Sequence, residues 1–121
     1  MIKNLWQNTT FICMNHDGQT NIVLEPTVGK KELFYACPKY KSENRETGER
    51  GCRNNIYSNY AQEAIEHVSQ KIEEYESKNI SADCITGYKW TKRDIDFEVL
   101  YYLYGSLKIG VLNRKELAKT K

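Results

Sequence analysis

The chain has 121 residues, of which 40% are hydrophobic and 28% charged. This composition is typical of one folded domain and excludes a disordered chain. A formal net charge of +2 argues against a strongly basic nucleic-acid packaging protein and against an acidic nucleic-acid mimic. No apolar run approaches the roughly 18 residues of a membrane span. The N-terminus lacks the apolar core of a secretory signal, so we expect a cytoplasmic protein.

Three short strands are predicted in the first third of the chain, at Thr9–Cys13, 21–25 and 33–37, because these segments are rich in β-branched, aliphatic and aromatic residues. Turn residues separate them, with Asp17-Gly18 after the first and Val28-Gly29 after the second. The stretch 38–51 is polar and charged and predicts a loop.

A single long helix is predicted at 59–78, with Asn59 as its N-cap. Its apolar residues recur at spacings of three and four and form one stripe, whereas its glutamates are expected to face solvent. The stripe consists of Ala61, Ala64, Ile65, Val68, Ile72 and Tyr75.

Strands are predicted at 87–92, 96–103 and 107–112, with Tyr104-Gly105-Ser106 joining the last two as a hairpin. Period-two alternation assigns one face to the core: Phe97, Val99, Tyr101 and Leu103 beside Leu107, Ile109 and Val111. The sequence therefore predicts an α+β fold in a single domain, 1–121. Its parts are a zinc-stapled β-region at 1–58, the helix at 59–78, and a C-terminal antiparallel sheet at 79–121.

The opposite face of this sheet is half apolar, which is unusual for a face in water. Two explanations remain open: another element of the chain covers it, or a partner does. Tyrosine is enriched where proteins bind one another. The candidate partner-binding residues are Leu100, Tyr102, Tyr104 and Lys108.

Three cysteines and a histidine in the first 52 residues suggest a metal site. Cys13 and His16 form a C-x2-H pair, and Cys37 and Cys52 follow at a looser spacing. In a reducing compartment disulfides are not expected. Three thiolates and one imidazole form a closed tetrahedral site, the usual arrangement of structural zinc. We therefore predict one structural Zn²⁺ held by these four residues.

The alternatives are that these cysteines are ordinary buried residues, or that His67 or Cys84 replaces one of the four ligands. His67 lies on the flank of the helical stripe and is predicted to be a hydrogen-bonded surface group. Cys84 is predicted to be a buried or half-buried thiol. A closed site leaves no coordination position for substrate, and the chain carries no recognisable catalytic motif, so we expect no enzymatic activity.

Basic residues and an aromatic residue, Tyr40, interleave in the loop, which raises the possibility of nucleic-acid binding. The basic residues are Lys39, Lys41, Arg45, Arg50 and Arg53. However, Glu43, Glu46 and Glu49 dilute the charge that a phosphate-binding surface normally concentrates. Nucleic-acid binding by this loop is therefore the less favoured function.

The first half of the chain resembles small zinc-containing proteins of phages and mobile elements of Gram-positive bacteria. The resemblance rests on these segments and residues: Trp6-Gln7-Asn8-Thr9, Cys13 with His16, Phe34-Tyr35-Ala36-Cys37-Pro38-Lys39-Tyr40, Asn44-Arg45, Glu49 and Cys52. In size and character the chain is also similar to type II anti-CRISPR proteins of streptococcal prophages. The resemblance implies a non-enzymatic inhibitor that binds an RNA-guided CRISPR nuclease directly, in the cytoplasm of a bacterial host. The alternative is a zinc-stabilised nucleic-acid-binding module of a mobile element.

Overall fold

The computed structural model describes residues 8–16, 22–28, 33–39, 51–103 and 105–118. They form seven strands, two α-helices and a 3-10 turn, which confirms the α+β class. In chain order these are β1 (Thr9–Cys13), β2 (Glu25–Val28), β3 (Leu33–Ala36), β4 (Asn55–Tyr57), α1 (Ser58–Ser77), the 3-10 turn (Ala82–Ile85), β5 (Lys89–Lys92), β6 (Ile95–Leu103), β7 (Ser106–Asn113) and α2 (Arg114–Ala118). Within the described residues, no helix combines the length and apolarity needed to cross a bilayer.

A four-stranded sheet in the order β1-β7-β6-β5 contains the C-terminal strands. β5, β6 and β7 pair antiparallel, as predicted. β1 pairs with β7 in parallel, from Thr9 opposite Leu107 to Cys13 opposite Val111. The sheet is therefore mixed, because β1 crosses from the N-terminal region to bury Phe11 and Cys13 in the core.

A second sheet has three antiparallel strands in the order β2-β3-β4. β3 lies where the sequence predicted it. β2 begins at Glu25, so of the strand predicted at 21–25 the residues 22–24 are not part of β2 and only Glu25 is. There Val23 makes only an isolated bridge to Ile12. β4 was missed because its three residues directly precede the helix. The predicted turns at Asp17-Gly18 and Gly29 and most of the predicted loop lie outside the described residues.

α1 buries five of the six residues of the predicted stripe: Ala61, Ala64, Ile65, Val68 and Ile72. They belong to the same hydrophobic cluster as Phe97, Val99 and Ile109 of the four-stranded sheet. The sixth, Tyr75, is half-buried against the same cluster. The N-cap prediction was wrong, because the helix begins at Ser58 and Tyr57 occupies the cap position without a side-chain hydrogen bond.

A β-bulge interrupts the pairing of β6 with β7. Val99 lies opposite Ile109, but Tyr101 lies opposite Lys108, so Leu100 is an extra residue on β6. One inserted residue exchanges the faces of all the residues that follow it. Tyr102 consequently packs against the core cluster beside Leu107. Tyr101 and Leu103 are exposed, and their predicted place in the core was wrong.

Candidate metal centre

Three chain segments bring the four predicted ligands together. Cys13 ends β1 and His16 follows it, Cys37 follows β3, and Cys52 precedes β4. The nearest ligand atoms of these residues all lie within 4.8 Å of one another. The predicted cluster is therefore present as a compact group, with the three cysteines buried and the histidine half-buried.

The long gap between Cys37 and Cys52 is closed by the pairing of β3 with β4. The ladder continues past the strand ends: the amide of Cys37 donates to the carbonyl of Asn54 at 3.1 Å, and the amide of Cys52 donates to the carbonyl of Lys39 at 3.3 Å. The two cysteines thus lie on facing segments. A spacing of fourteen residues looks loose in the sequence because it does not reveal this pairing.

The distance between two sulfurs of the cluster matches the separation expected around a tetrahedral metal ion. Cys13 Sγ lies 3.7 Å from Cys52 Sγ, and His16 Nε2 lies 3.2 Å from Cys37 Sγ. Zinc–sulfur bonds of about 2.3 Å in a tetrahedron place two sulfurs about 3.8 Å apart. A disulfide needs about 2.05 Å, and all four cysteines are free thiols.

The backbone amide two residues further along the chain favours the thiolate form of each cysteine in the cluster. These amides belong to Asn15, Lys39 and Asn54, for Cys13, Cys37 and Cys52 respectively. An amide proton near a sulfur stabilises the thiolate, but the pKa values of Cys13 and Cys37 remain raised overall.

The three thiols nevertheless compete for negative charge. A hydrogen bond from Cys13 lowers the pKa of Cys52 to about 4, while that same bond and burial raise the pKa of Cys13. Burial also raises the pKa of Cys37. The protein alone therefore favours one thiolate in the cluster. A divalent cation bound among the sulfurs would neutralise the repulsion and allow all three to ionise.

Sequence reasoning missed two side chains that also donate to these sulfurs. Asn54 Nδ2 lies 3.1 Å from Cys13 Sγ, and Asn15 Nδ2 lies 3.4 Å from Cys52 Sγ. An asparagine in a polar stretch resembles an ordinary loop residue. The only signal in the sequence is that Asn15 and Asn54 each lie two residues after a cysteine of the cluster.

The two rival ligands lie outside the cluster. His67 stands on α1, where its Nε2 is 2.9 Å from Tyr88 Oη and its ring stacks on Trp90, as predicted for a hydrogen-bonded group. Cys84 is exposed in the 3-10 turn, so its predicted burial was wrong. The neighbouring Ile85 occupies the buried position of that turn instead.

The predicted partner-binding residues do not share one face. The ring of Tyr102 is turned toward the core by the bulge, and burial raises the pKa of its phenol. Leu100 lies over Gly110 beside Met14, and Lys108 Nζ lies 5.7 Å from the ring centroid of Tyr101. Tyr104 lies outside the described residues. Tyr102 is therefore removed from the candidate surface and Tyr101 takes its place.

Comparison with protein-family models, with curated proteins and with solved structures finds no match for this chain.

Proposed function

We propose that Cys13, His16, Cys37 and Cys52 bind one structural Zn²⁺ ion per chain, and that the protein acts by binding a partner and not by catalysis. The observation that carries the metal proposal is the gathering of three thiols and one imidazole, from three segments, within 4.8 Å. Soft thiolate and imidazole ligands suit zinc among the common divalent cations.

The ligand set supports a structural and not a catalytic ion. A catalytic zinc keeps one position for water or substrate, whereas four protein ligands complete the tetrahedron. Hydrogen bonds from the side-chain amides of Asn54 and Asn15 to two of the sulfurs spread the negative charge of the site into the surrounding protein. A closed, hydrogen-bonded site of this kind serves to join the segments that supply its ligands.

Elemental analysis of protein purified without added metal tests the first half of the proposal. We expect one zinc per chain in the wild type and in Cys84→Ser, because Cys84 is exposed outside the cluster. Cys37→Ser should lose most of its zinc, since it removes a buried ligand. Wild-type protein without zinc would contradict the metal proposal, and zinc loss in Cys84→Ser would contradict the ligand set.

For the partner, we propose a type II CRISPR effector nuclease that the protein inhibits by direct contact. The sequence resemblance to phage and anti-CRISPR proteins supports this partner. An exposed apolar and aromatic patch, formed by Tyr101 and Leu103, supports a protein contact. A net charge of +2 favours occlusion of a protein surface over imitation of DNA.

A purified cleavage assay tests this partner. We expect inhibition at near-stoichiometric protein that survives moderate salt, because apolar contact depends little on ionic strength. Tyr101→Ala should weaken inhibition. Ile80→Ala is the matched control, since Ile80 is exposed to a similar degree, 42% against 41%, but lies beyond α1. No inhibition by folded, zinc-loaded protein would overturn the proposed partner while leaving the metal site intact.

The same purified protein can be used to test the alternative function, a nucleic-acid-binding module. Lys39 and Arg53 are exposed on the two facing cysteine segments, while Lys41, Arg45 and Arg50 lie outside the described residues. Binding through such residues should fall steeply with salt, by roughly 0.9 in the log–log slope for each phosphate neutralised. Tight, salt-sensitive binding to free duplex without nuclease inhibition would favour this alternative.

A further inference from the structure

Asn54 is completely buried, and every polar group of its carboxamide is engaged. Oδ1 accepts a hydrogen bond from the backbone amide of Asn113 at 2.7 Å. Nδ2 donates to the carbonyl of Val111 at 2.8 Å and to Cys13 Sγ at 3.1 Å. The side chain thus connects β7 to the cluster of cysteines.

The orientation of this carboxamide is set by the backbone of β7. The Asn113 amide can only donate and the Val111 carbonyl can only accept, so Oδ1 must face the first and Nδ2 the second. The second proton of Nδ2 then points at Cys13. Reversing the amide would break both backbone hydrogen bonds in a site from which water is excluded, which is costly.

We propose that Asn54 is a positioning residue of the metal centre: it holds the Cys13 thiolate in place and tunes its charge through an amide that β7 keeps in a fixed orientation. This inference rests on the proposed zinc site. Three ligating thiolates and one imidazole give Zn²⁺ a net charge of −1, and a fixed N–H donor stabilises that excess charge. Asn15 makes the corresponding bond to Cys52, but it is exposed and the distance is longer, 3.4 Å.

Asn54→Asp tests the donor with little change in volume, because the acid still accepts from the Asn113 amide. Asn113→Asp is the matched control. It loses the bond from Nδ2 to the Asn55 carbonyl, at 2.8 Å, and keeps Oδ1 as the acceptor for the Glu116 amide at the start of α2. Neither of these contacts involves a sulfur. Both variants therefore disturb a buried amide, and only one disturbs the metal centre.

In zinc competition with a chromophoric chelator, we expect Asn54→Asp to lose about 10–100-fold in affinity and Asn113→Asp to lose much less. With Co²⁺ in place of zinc, the sulfur-to-cobalt charge-transfer band should move to lower energy in Asn54→Asp only, because a thiolate without its donor is easier to oxidise. An unchanged band and an affinity equal to that of the control would overturn the proposal and leave Asn54 a merely structural residue.

A measurement on the wild type covers the case in which Asn54→Asp does not fold. In protein loaded with ¹¹³Cd²⁺, scalar coupling across N–H···S hydrogen bonds should link the metal to a side-chain amide proton of Asn54. The bond from the side-chain amide of Asn15 to Cys52, at 3.4 Å, gives a second and longer contact for comparison. Cadmium-loaded protein without coupling to the side chain of Asn54 would contradict the proposal. Failure of wild-type protein to bind zinc, cobalt or cadmium would instead contradict the proposed metal site itself.

Discussion

The two sheets of this protein are stabilised in different ways. In the four-stranded sheet, β6 and β7 alone bury a row of apolar side chains: Ile95, Phe97, Val99, Leu107, Ile109 and Val111. In the three-stranded sheet, Ile56 is the only strand residue that is buried. The four-stranded sheet therefore has a hydrophobic face large enough to stabilise it, whereas the three-stranded sheet has almost no buried face.

The proposed metal centre lies beside the sheet that has the smaller hydrophobic face. Cys37 and Cys52 extend the pairing of β3 with β4, while Cys13 belongs to β1 of the first sheet. A metal ion bound by all three would fasten the poorly buried sheet to the well-buried one. In small folds, a bound metal commonly substitutes for a core that is too small. The contrast between the sheets can be tested by disturbing each one separately.

The largest loss of stability is expected from Val68→Asp, which places a carboxylate in the core that packs against the four-stranded sheet. Val68 is fully buried in the cluster that joins α1 to this sheet. An unpaired buried carboxylate costs several kcal/mol, a large share of the stability of a domain this size. We expect loss of cooperative melting in circular dichroism, in both sheets together.

Glu74→Lys on the exposed face of the same helix is the control. It loses surface ion pairs to Lys71 and Lys78, at 3.3 and 3.2 Å, which are worth little in water. Its melting temperature should stay close to that of the wild type. Similar melting temperatures for the two variants would show that the stripe of α1 does not carry the core.

The second largest effect is expected from metal removal, which should destabilise the three-stranded sheet more than the four-stranded one. After treatment with a chelator, the amides of β3 and β4 should lose protection in hydrogen exchange, because local contacts hold them weakly. The amides of Val99 and Ile109 should keep theirs, since both residues are fully buried in the apolar core that β6, β7 and α1 share. Readdition of zinc should reverse the change.

Equal loss of protection in both sheets would mean that the four-stranded sheet depends on the metal ion as much as the three-stranded sheet does. No loss in either would mean that the ion contributes nothing to the fold. Either result would remove the distinction between a sheet held by its core and a sheet held by its metal.

The smallest effect concerns His67, which packs α1 against β5. Burial, followed by the charges of Lys71 and Lys92, lowers the pKa of His67 below its usual 6.5. Lys92 in turn pairs with Glu63 at 2.7 Å, and Tyr88 and Trp90 contact the imidazole. The neutral ring is therefore the form that the folded state prefers.

The sign of the pH dependence follows from this shift. Below pH 6.5 the unfolded chain binds a proton at His67 more readily than the folded one, so stability falls with the pH until the folded pKa is passed. Denaturant unfolding between about pH 5.5 and 8 should show a steeper decline in wild type than in His67→Gln. Acid release of the proposed zinc would affect both proteins and would cancel in the comparison. Identical slopes would contradict the prediction.

The sequence was sufficient where a signal is local. The apolar stripe of α1, the strand at Thr9–Cys13 and the pair of Cys13 and His16 follow from residue type and spacing, whereas Cys37 and Cys52 joined the predicted cluster by residue type alone. What it could not show depends on a distant strand. The bulge at Leu100 is defined by pairing with β7, so alternation along β6 alone placed Tyr101 and Tyr102 on the wrong faces.

The same limit explains the missed parts of the metal centre. β4 is only three residues long and is a strand because β3 lies beside it. Asn54 donates to Cys13 because β7 fixes the orientation of its side chain. Neither residue type nor spacing carries that information.

The parallel pairing of β1 with β7 has a consequence for the order of events during synthesis. Cys13, His16, Cys37 and Cys52 all leave the ribosome before β7, which holds β1 and orients Asn54. Contacts between segments so distant in sequence form slowly, and translation adds about 5–20 residues each second. We therefore expect the nascent chain to capture its metal first, with a flexible ligand set, and the arrival of the C-terminal hairpin to convert that early complex into a rigid one.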